Sequence, residues 1–516
     1  MVQKIIYRPE WTCGRYNPKA KTAIMYNLIS GVSSFFESYS ATVIGEILSI
    51  PKNGSKGIKS IAENTGVAEE SISDFLLVLK DNGLVTDRLL SKDEITELRR
   101  QQGKIYRDNP VQKDFGKSIG QVDMSSAEQL YAQSLDISES IPSVMFELTY
   151  NCSERCIHCY NSGAARNDCE VSLRNRDEMT LDDYKRVIDQ LYDMGLYKVC
   201  FSGGDPFSKP HIWEIIDYIY NKDIAFDIFT NGQAIVNDAE RLACYYPRLV
   251  GLSVYSSIPE IHDRITCVRG SLDRTLSVAD RLSNLGVNMA FKCVVFRTNV
   301  KSYRTVKGLA EKYGAIPQFE INLTNGVDGD VSVVENLGLP DDVMEIILRD
   351  EIVPLYVGAE TASGRKMKKP LDAHPCNAGV QSFSITPEGE VQPCCAFPSS
   401  FGNIRDMSLR RILQSESLKK WRNVSIGDIG DCGRLEKCNF CFLCVGNGYI
   451  EHGTHLKSPQ SSCHMAELRY GLAEKLSEGK DPLMGKTIDE RLAEIDVPET
   501  REFGRNIKEN YRNRAL

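Results

Sequence analysis

The spacing of apolar residues divides the beginning of this chain into short regular elements. An apolar run at 23–29 predicts a strand. Apolar residues then recur every three or four positions over 58–82, interrupted by a turn at Gly66, and this spacing predicts a helix–turn–helix. Residues 84–85 are predicted to begin a wing strand. We therefore predict a winged-helix-like domain over residues 1–90.

Further along the chain the pattern becomes polar and then alternates. Residues 91–140 are polar and are predicted to form a linker with some helix. From position 141, short apolar runs alternate with helical spacings, which predicts about six βα units in series. The predicted fold class is α/β, with a partial (β/α)6 barrel of the TIM type over residues 141–340. Its predicted strands are 144–148, 198–201, 225–229, 251–254, 289–296 and 319–323.

The last part of the chain is organised around cysteine rather than around apolar runs. We predict a bridging segment at 341–373, a cysteine-rich domain at 374–465 and a charged helical tail at 466–516. Cysteine-rich segments with short strands and Gly and Pro turns fold around metal rather than around a large apolar core.

Composition and charge exclude several classes of protein. The net charge is −8, so a broad basic surface for nucleic acid is not expected. The N-terminal residues lack the layout of a signal peptide, and no apolar run reaches the ~20 residues of a membrane helix. We expect a soluble, cytoplasmic protein with neither nucleic acid nor membrane as a partner.

Cysteine is unusually frequent and unusually clustered. Most of the 17 cysteines fall at 152–159, 376–395 and 432–463. A reducing cytosol does not sustain a disulfide framework, so clustered thiols there indicate metal or redox chemistry. Cys200 and Cys293 lie in predicted strands and are expected to be buried as small apolar residues.

The first group of cysteines has the spacing CxxxCxxC and follows the first predicted barrel strand. Cys152, Cys156 and Cys159 can bind three irons of a [4Fe–4S] cluster and leave the fourth iron without a protein ligand. An open iron can bind the amino and carboxylate groups of S-adenosylmethionine (SAM), and the cluster can then reduce it. The alternative is a structural zinc knuckle.

The sequence around these cysteines, NCSERCIHCYNSG, resembles the signature of the radical SAM superfamily. The sequence FSGGDP, after the second predicted strand, resembles the GGEP motif of that family, with Asp in place of Glu. The resemblance implies that two glycines approach the SAM amino group, that Ser253 reaches its ribose or carboxylate and that Arg264 pairs with its carboxylate. The alternative for Arg264 is a solvated surface charge. The SAM-binding residues implied in this way are His158, Gly203, Gly204, Asp205, Asn231, Ser253 and Arg264.

The later cysteines resemble a second known pattern. Cys376-x12-Gly389-x4-Cys394 is similar to the SPASM domain, an extension of radical SAM enzymes that holds two auxiliary [4Fe–4S] clusters. The following gaps of five, two and two residues depart from the usual two, five and three, so the ligand assignment stays open. Chain order would give one cluster to Cys432, Cys438, Cys441 and Cys463, and the other to Cys376, Cys394 and Cys444. The latter would have an open iron or an unnamed ligand, for which Cys395 is a candidate. Zinc sites are the alternative.

The N-terminal domain resembles either a DNA-binding winged helix or a RiPP recognition element, the peptide-binding module of many peptide-modifying enzymes. The helix predicted over 68–82 carries four acidic residues and one lysine, a net charge of −3. A helix in the major groove needs basic residues for phosphate contacts, so the charge favours the peptide module. A leader peptide would add to an open strand edge. A purely structural domain is the third alternative.

Together these resemblances imply a radical SAM maturase of ribosomally made peptides. It would abstract hydrogen from a precursor peptide and form a thioether, carbon–carbon or carbon–oxygen cross-link. The implied cofactors are SAM and three [4Fe–4S] clusters, and the implied partners are a precursor peptide with its leader and an electron donor such as flavodoxin or ferredoxin. The alternatives are a sulfatase-type activating enzyme, which oxidises Cys or Ser to formylglycine, and a DNA-binding iron–sulfur sensor. No residue in the sequence identifies itself as a catalytic base.

Overall fold

The computed structural model describes residues 5–108, 126–161, 177–358 and 370–497, with the side chains of 102–108 left out. The N-terminal domain combines short strands with three helices. Its elements are β1 (Ile5–Tyr7), β2 (Thr12–Asn17), β3 (Thr22–Asn27), β4 (Val32–Glu37), α1 (Ser38–Leu48), β5 (Ser55–Gly57), α2 (Ile58–Thr65) and α3 (Glu69–Asp81). β2, β3 and β4 form an antiparallel sheet with β3 in the centre, and β1 pairs with β5.

The predicted helix–turn–helix is present, but the wing strand is wrong. α2 ends at Gly66, whose φ of 70° is the left-handed conformation that glycine adopts easily. Leu84 and Val85 instead pack into the core of the domain, and only Thr86 pairs, through a single bridge to Tyr7.

β3 separates two apolar cores because its side chains alternate between two faces. Ala23 and Met25 face α1, α2 and α3, whereas Ile24 and Tyr26 face the barrel. Both faces are buried, which explains the continuous apolar run at this position in the sequence. The N-terminal sheet is thus packed onto the rest of the protein rather than tethered to it.

The predicted linker contains α4 (Lys92–Asp108) and α5 (Ala127–Ser134), and α5 packs between the N-terminal sheet and the barrel. Glu128 of α5 accepts hydrogen bonds from Tyr26 at 3.0 Å and from Lys198, with Arg248 also nearby. These contacts join the two domains through a partly buried charge. The polar composition of this segment therefore reflects an interface and not only a solvated connection.

The barrel follows the predicted alternation of strands and helices. Its elements are β6 (Ser143–Glu147), α6 (Leu181–Asp193), β7 (Lys198–Ser202), α7 (Ile212–Asn221), β8 (Ala225–Thr230), α8 (Ala239–Ala243), β9 (Leu249–Ser253), α9 (Pro259–Thr266), α10 (Ser271–Asn284), β10 (Met289–Val294), α11 (Thr305–Tyr313) and β11 (Ile316–Glu320). The six strands are parallel in chain order, and β6 does not pair with β11. The predicted partial (β/α)6 barrel is confirmed.

The cysteine-rich domain continues the barrel sheet. Its elements, with those that precede it, are α12 (Ser332–Leu337), α13 (Asp341–Ile347), β12 (Ser382–Ile385), β13 (Glu390–Gln392), β14 (Gly402–Asn403), α14 (Leu409–Leu413), α15 (Glu416–Arg422), α16 (Val445–His452), α17 (Gln460–Ser477) and α18 (Ile488–Glu494). β12 pairs in parallel with β6, and β13 and β14 follow as antiparallel neighbours. α17 crosses the predicted domain boundary at 465, and residues 498–516 of the predicted tail lie outside the described residues. None of the helices in the described parts of the chain has the length and apolar character needed to cross a membrane.

Candidate active site

A cavity of about 550 Å³ lies at the carboxyl ends of the barrel strands. Its wall contains the three cysteines of the first group, Cys152, Cys156 and Cys159, together with Cys395 and Cys444 of the auxiliary domain. Two groups of thiols that lie more than 200 residues apart in the sequence therefore border one space. In parallel barrels this end of the sheet is where active sites form.

The turn that contains Gly203 and Gly204 is hydrogen-bonded to the start of the cysteine loop. The backbone N–H of Gly204 donates to the carbonyl of Thr149 at 2.7 Å, and that of Asp205 donates to the carbonyl of Asn151 at 2.9 Å. A Cβ atom at Gly204 would lie 2.4 Å from the carbonyl oxygen of Asn151, which excludes any side chain there. Gly203 also lines the cavity and has a φ of 121°, a conformation suited to glycine.

Asp205 is buried and directs its carboxylate away from the cavity. It accepts hydrogen bonds from the hydroxyl of Thr230 at 2.6 Å and from the N–H groups of Asn231 at 3.0 Å and Phe207 at 2.9 Å. It lies outside the cavity lining, and burial raises its pKa. Asp205 thus fastens the end of β8 to the glycine turn, and its direct contact with SAM stays a prediction.

Asn231 and Ser253 lie in the cavity wall, and their contact with SAM stays a prediction. The side-chain amide of Asn231 donates to Sγ of Cys152 at 3.3 Å and to the hydroxyl of Ser153 at 3.3 Å, so it positions the cysteine loop. Arg264 is exposed on α9 and is not part of the cavity lining. Its predicted pairing with the SAM carboxylate stays a prediction.

An aromatic group supports the cavity wall beside the cysteines. The ring of His158 lies 4.6 Å from that of Tyr255 and 5.0 Å from that of Phe296. Behind Tyr255, the buried His262 stacks on its ring and accepts from its backbone N–H at 3.2 Å. Burial lowers the pKa of His262 to about 4, so it is neutral at physiological pH. His158 was predicted from the sequence, whereas Tyr255 and His262 were not.

The auxiliary cysteines separate into two sets in space. We call the first set the distal set; it consists of Cys432, Cys438, Cys441 and Cys463. The pKa of Cys441 is raised to about 12, mainly by burial and further by the negative charges of the other three thiols of this set. In the second, the cavity set (Cys376, Cys394, Cys395 and Cys444), burial and then Cys395, Cys444 and Cys376 raise the pKa of Cys394. The thiols of each set are thus close enough to repel one another as thiolates. Chain order assigns the same distal set and gives Cys376, Cys394 and Cys444 to the other set, for which Cys395 was a candidate fourth member.

The thiol sets fit iron–sulfur clusters better than single metal ions. Among the described residues, no three His, Cys, Asp or Glu side chains converge as ligands of one ion. A tetrahedral zinc ion needs such convergence, because its Zn–S distances are near 2.3 Å. A four-iron cluster spreads its thiolates over separate irons. The described cysteines are free thiols, so none is committed to a disulfide.

Two charged residues of the cavity were not predicted from the sequence. Lys292 on β10 and Glu320 at the end of β11 both line it, and burial lowers the pKa of the lysine and raises that of the carboxylate. Next to the cavity lining, burial raises the pKa of Glu147 to about 7. Hydrogen bonds that its carboxylate accepts from Tyr160 at 3.4 Å and Tyr150 at 3.5 Å lower the pKa but do not outweigh burial. Lys292 could have been recognised as a site residue, because it is a single lysine within the apolar run of β10.

The partial barrel, the three thiols in its first loop and the glycine turn beneath them define the radical SAM class of enzyme. Comparison with known families agrees with this assignment. The radical SAM superfamily model matches residues 146–306, and the SPASM iron–sulfur cluster-binding domain matches residues 376–444. The chain belongs to the radical SAM superfamily and carries a SPASM domain, and these two domains imply iron–sulfur clusters and SAM.

Relatives of several functions share this architecture. The mycofactocin maturase MftC of Mycolicibacterium smegmatis is 31% identical over 313 residues, which cover 57% of this chain and 76% of that protein. The subtilosin biosynthesis protein AlbA of Bacillus subtilis is 26% identical, over 58% of this chain and 66% of AlbA. The AdoMet-dependent heme synthase of Methanosarcina barkeri is 24% identical, over 61% of this chain and 94% of that protein.

A solved structure shares the fold over most of the chain. The crystal structure of Streptococcus suis SuiB bound to the precursor peptide SuiA superimposes with a TM-score of 0.51 at 14% sequence identity. The superposition covers 89% of this chain and 99% of SuiB. The likeness therefore concerns the fold.

Proposed function

We propose that the chain is a maturase that removes hydrogen from a ribosomally made precursor peptide and installs an intramolecular thioether, carbon–carbon or carbon–oxygen cross-link. The observation that carries this proposal is the single cavity whose wall contains the first cysteine group together with Cys395 and Cys444. A substrate in this cavity would be in reach of both cluster sites. Oxidative cross-linking needs this arrangement, because the surplus electron of the reaction must leave the substrate.

The residues of the chain would bind and position the reactants. A [4Fe–4S] cluster bound to the first cysteine group would supply the electron that cleaves SAM and creates the hydrogen-abstracting radical. Gly204 and Asn231 hold the loop that carries these thiols. Ser253 and His158 face the same space, and Tyr255 and Phe296 pack against His158. We assign this part of the cavity to the nucleoside of SAM.

We propose three [4Fe–4S] clusters, one on the first cysteine group, one on the distal set and one on the cavity set. The mutual effect of the thiols on their pKa values supports this grouping. Anaerobic reconstitution should give about twelve irons per chain, four for each cluster. Iron near four per chain together with stoichiometric zinc would contradict the proposal.

The N-terminal domain would bind the leader of the precursor. In the described sheet β4 pairs with β3 alone, so its outer edge can accept an added strand. Phe36 of β4 meets Phe75 of α3 edge-on, with ring centres 5.8 Å apart, and Val78 one turn further along α3 is 55% exposed. We call Phe36, Phe75 and Val78 the leader groove. This domain lies outside both family matches, so it favours a peptide substrate over those of relatives such as the heme synthase.

The test is peptide modification by the reconstituted enzyme. The enzyme is incubated anaerobically with SAM, reduced flavodoxin or ferredoxin, and a candidate precursor peptide chosen from the short open reading frames next to the gene. Mass spectrometry should detect the loss of two hydrogen atoms per cross-link, and a peptide without its leader should react much more slowly. Conversion of a Cys or Ser in a folded sulfatase to formylglycine, with no change in the peptide, would contradict the proposal.

A further inference from the structure

The cavity contains a cation that the chemistry above does not use. Lys292 extends into the barrel between Phe229 of β8 and Gln318 of β11. Its Nζ lies 3.8 Å from the centre of the Phe229 ring and donates to Oε1 of Gln318 at 3.4 Å. Space for this side chain depends on Gly251, where a Cβ atom would lie 2.9 Å from Cδ of Lys292.

Within the described residues, no carboxylate forms an ion pair with this ammonium, although two lie in its surroundings. Asp227 is paired with Arg248. Glu320 is held in place by its own strand end, because its Oε1 accepts from the backbone N–H groups of Ile321 at 2.9 Å and Asn322 at 2.8 Å, and from the Asn322 side chain at 3.0 Å. One oxygen of each carboxylate is thus engaged elsewhere, Oδ2 of Asp227 by Arg248 and Oε1 of Glu320 by its strand end.

An ammonium in such surroundings is costly unless an anion joins it. A long amide contact and an aromatic face offset only part of the lost hydration. Burial accordingly lowers the pKa of Lys292. A concave site with one incompletely paired charge is typical of ligand recognition, since a charge of the opposite sign on the ligand restores the balance.

We infer that Lys292 binds a carboxylate of the substrate, so that the reacting segment of the peptide carries an acidic side chain or a free C-terminus next to the attacked carbon. This inference rests on the proposed function, because it takes a peptide as the occupant of the cavity. Lys292 lies opposite Ser253 in the register of β9 and β10, at the level assigned to the SAM nucleoside. A carboxylate held there would place its neighbouring carbon close to the hydrogen-abstracting group.

The inference can be tested without turnover by measuring how fast Lys292 is acetylated. The reconstituted enzyme, saturated with SAM, is treated with trace acetic anhydride, and acetylation at each lysine is measured by mass spectrometry. N-acetylglutamate amide imitates an acidic side chain and N-acetylglycine imitates a free C-terminus. Their controls are N-acetylglutamine amide and N-acetylglycinamide. Lys307, which is exposed on α11, serves as the internal control.

We expect a saturating carboxylate probe to slow acetylation of Lys292 by roughly tenfold, through a charge-assisted hydrogen bond that the amide controls cannot make. Protection by the glutamate probe supports an acidic side chain, and protection by the glycine probe supports a free C-terminus. Equal rates with carboxylates and amides would overturn the inference. Full protection by SAM alone would also overturn it, because Lys292 would then serve the cosubstrate. Failure of peptide modification leaves this measurement intact, so the two proposals can fail separately.

Discussion

The two ends of the barrel are held together by different kinds of contact. At the amino end, Tyr26, Tyr131 and Tyr197 pack together in an apolar core, and Glu128 forms a partly buried ion pair with Lys198. At the carboxyl end, a cavity of about 550 Å³ is lined by thiols and by charged side chains. The comparison indicates that one end contributes stability and the other is kept available for chemistry.

The two added domains differ in the same way. The auxiliary domain continues the barrel sheet through β12 and contributes Cys395 and Cys444 to the cavity. The N-terminal domain covers the opposite end through the core that contains Tyr26 and Tyr197. Deleting residues 1–90 would therefore expose this core and confuse recognition with stability, so point substitutions are the sharper test.

The largest effect on activity is expected at the carboxyl end of the barrel, where the cavity lies. Replacing Cys152, Cys156 and Cys159 with Ala should lower reductive SAM cleavage by roughly a thousandfold or more, because the cluster loses its three protein ligands. The measurement is 5′-deoxyadenosine by liquid chromatography, with iron content to show that the auxiliary clusters remain. Cys244→Ala, at an exposed cysteine, is the control and should behave as the wild type. Continued 5′-deoxyadenosine production by the triple variant would refute the assignment.

The second largest effect on activity is expected at Gly204, in the glycine turn that contacts the cysteine loop. Gly204→Ala should lower SAM cleavage by roughly tenfold to a hundredfold, because the new Cβ displaces the loop through the carbonyl of Asn151. Gly308→Ala is the matched control, since a Cβ at this exposed position of α11 meets no atom within 4 Å. It should leave activity unchanged and slightly stabilise the helix. Equal activity of the two variants would show that the turn does not position the loop.

At the amino end of the barrel, a substitution should change the stability of the protein rather than its catalytic activity. Glu128→Gln should lower the free energy of unfolding by about 2 kcal/mol, because it leaves Lys198 without its partly buried partner, whereas Arg248 keeps Asp227. The control is Glu139→Gln, whose carboxylate is exposed and only loosely paired at 3.6 Å, and we expect a change within about 0.5 kcal/mol. Denaturant unfolding of the two variants measures this difference.

The same ion pair has a defined pH dependence. Burial opposes ionisation of Glu128, but Lys198 and Arg248 outweigh it and lower its pKa to about 2. An unfolded glutamate has a pKa of about 4.3. The stabilisation is therefore complete above the unfolded value and is lost as pH falls toward about 2. The gap in stability between wild type and Glu128→Gln should shrink over that range, and a gap independent of pH would contradict this account.

The smallest effect is expected in the leader groove. Val78→Glu should weaken leader binding by roughly fivefold to tenfold, because a charge is placed where apolar contact is expected, while SAM cleavage stays unchanged. Fluorescence anisotropy of a labelled leader peptide measures binding. Leu456→Glu, at an apolar residue of the auxiliary domain that is 46% exposed, is the control. Loss of binding in the control alone would place the leader elsewhere.

Local features were predictable from the sequence, and contacts across the fold were not. The barrel strands were found because each is a short apolar run, although β11 begins at Ile316, three residues before the prediction, because Pro317 and Gln318 interrupt the apolar pattern. The cysteine groups were found because metal ligands repeat at short spacings. The packing of α5 against the barrel depends on partners far away in sequence, such as Tyr197, and the polar pattern of that segment concealed it.

The same division holds within the site. Gly203, Gly204 and Asn231 follow strand ends and Ser253 is the last residue of β9, so their position in the cavity could be inferred from the order of the barrel units. Lys292 and Glu320 depend on the register of neighbouring strands, which the sequence alone does not determine. Asp205 shows a further limit, because its motif position was predictable but the direction of its carboxylate was not.

The central claim is that SAM cleavage and peptide oxidation meet in one cavity. The direct test uses a precursor peptide deuterated throughout its modified segment, with the reconstituted enzyme, SAM and a reductant. The account predicts that deuterium appears in 5′-deoxyadenosine in proportion to the cross-linked peptide formed. Formation of cross-linked peptide while the released 5′-deoxyadenosine carries no deuterium would contradict it.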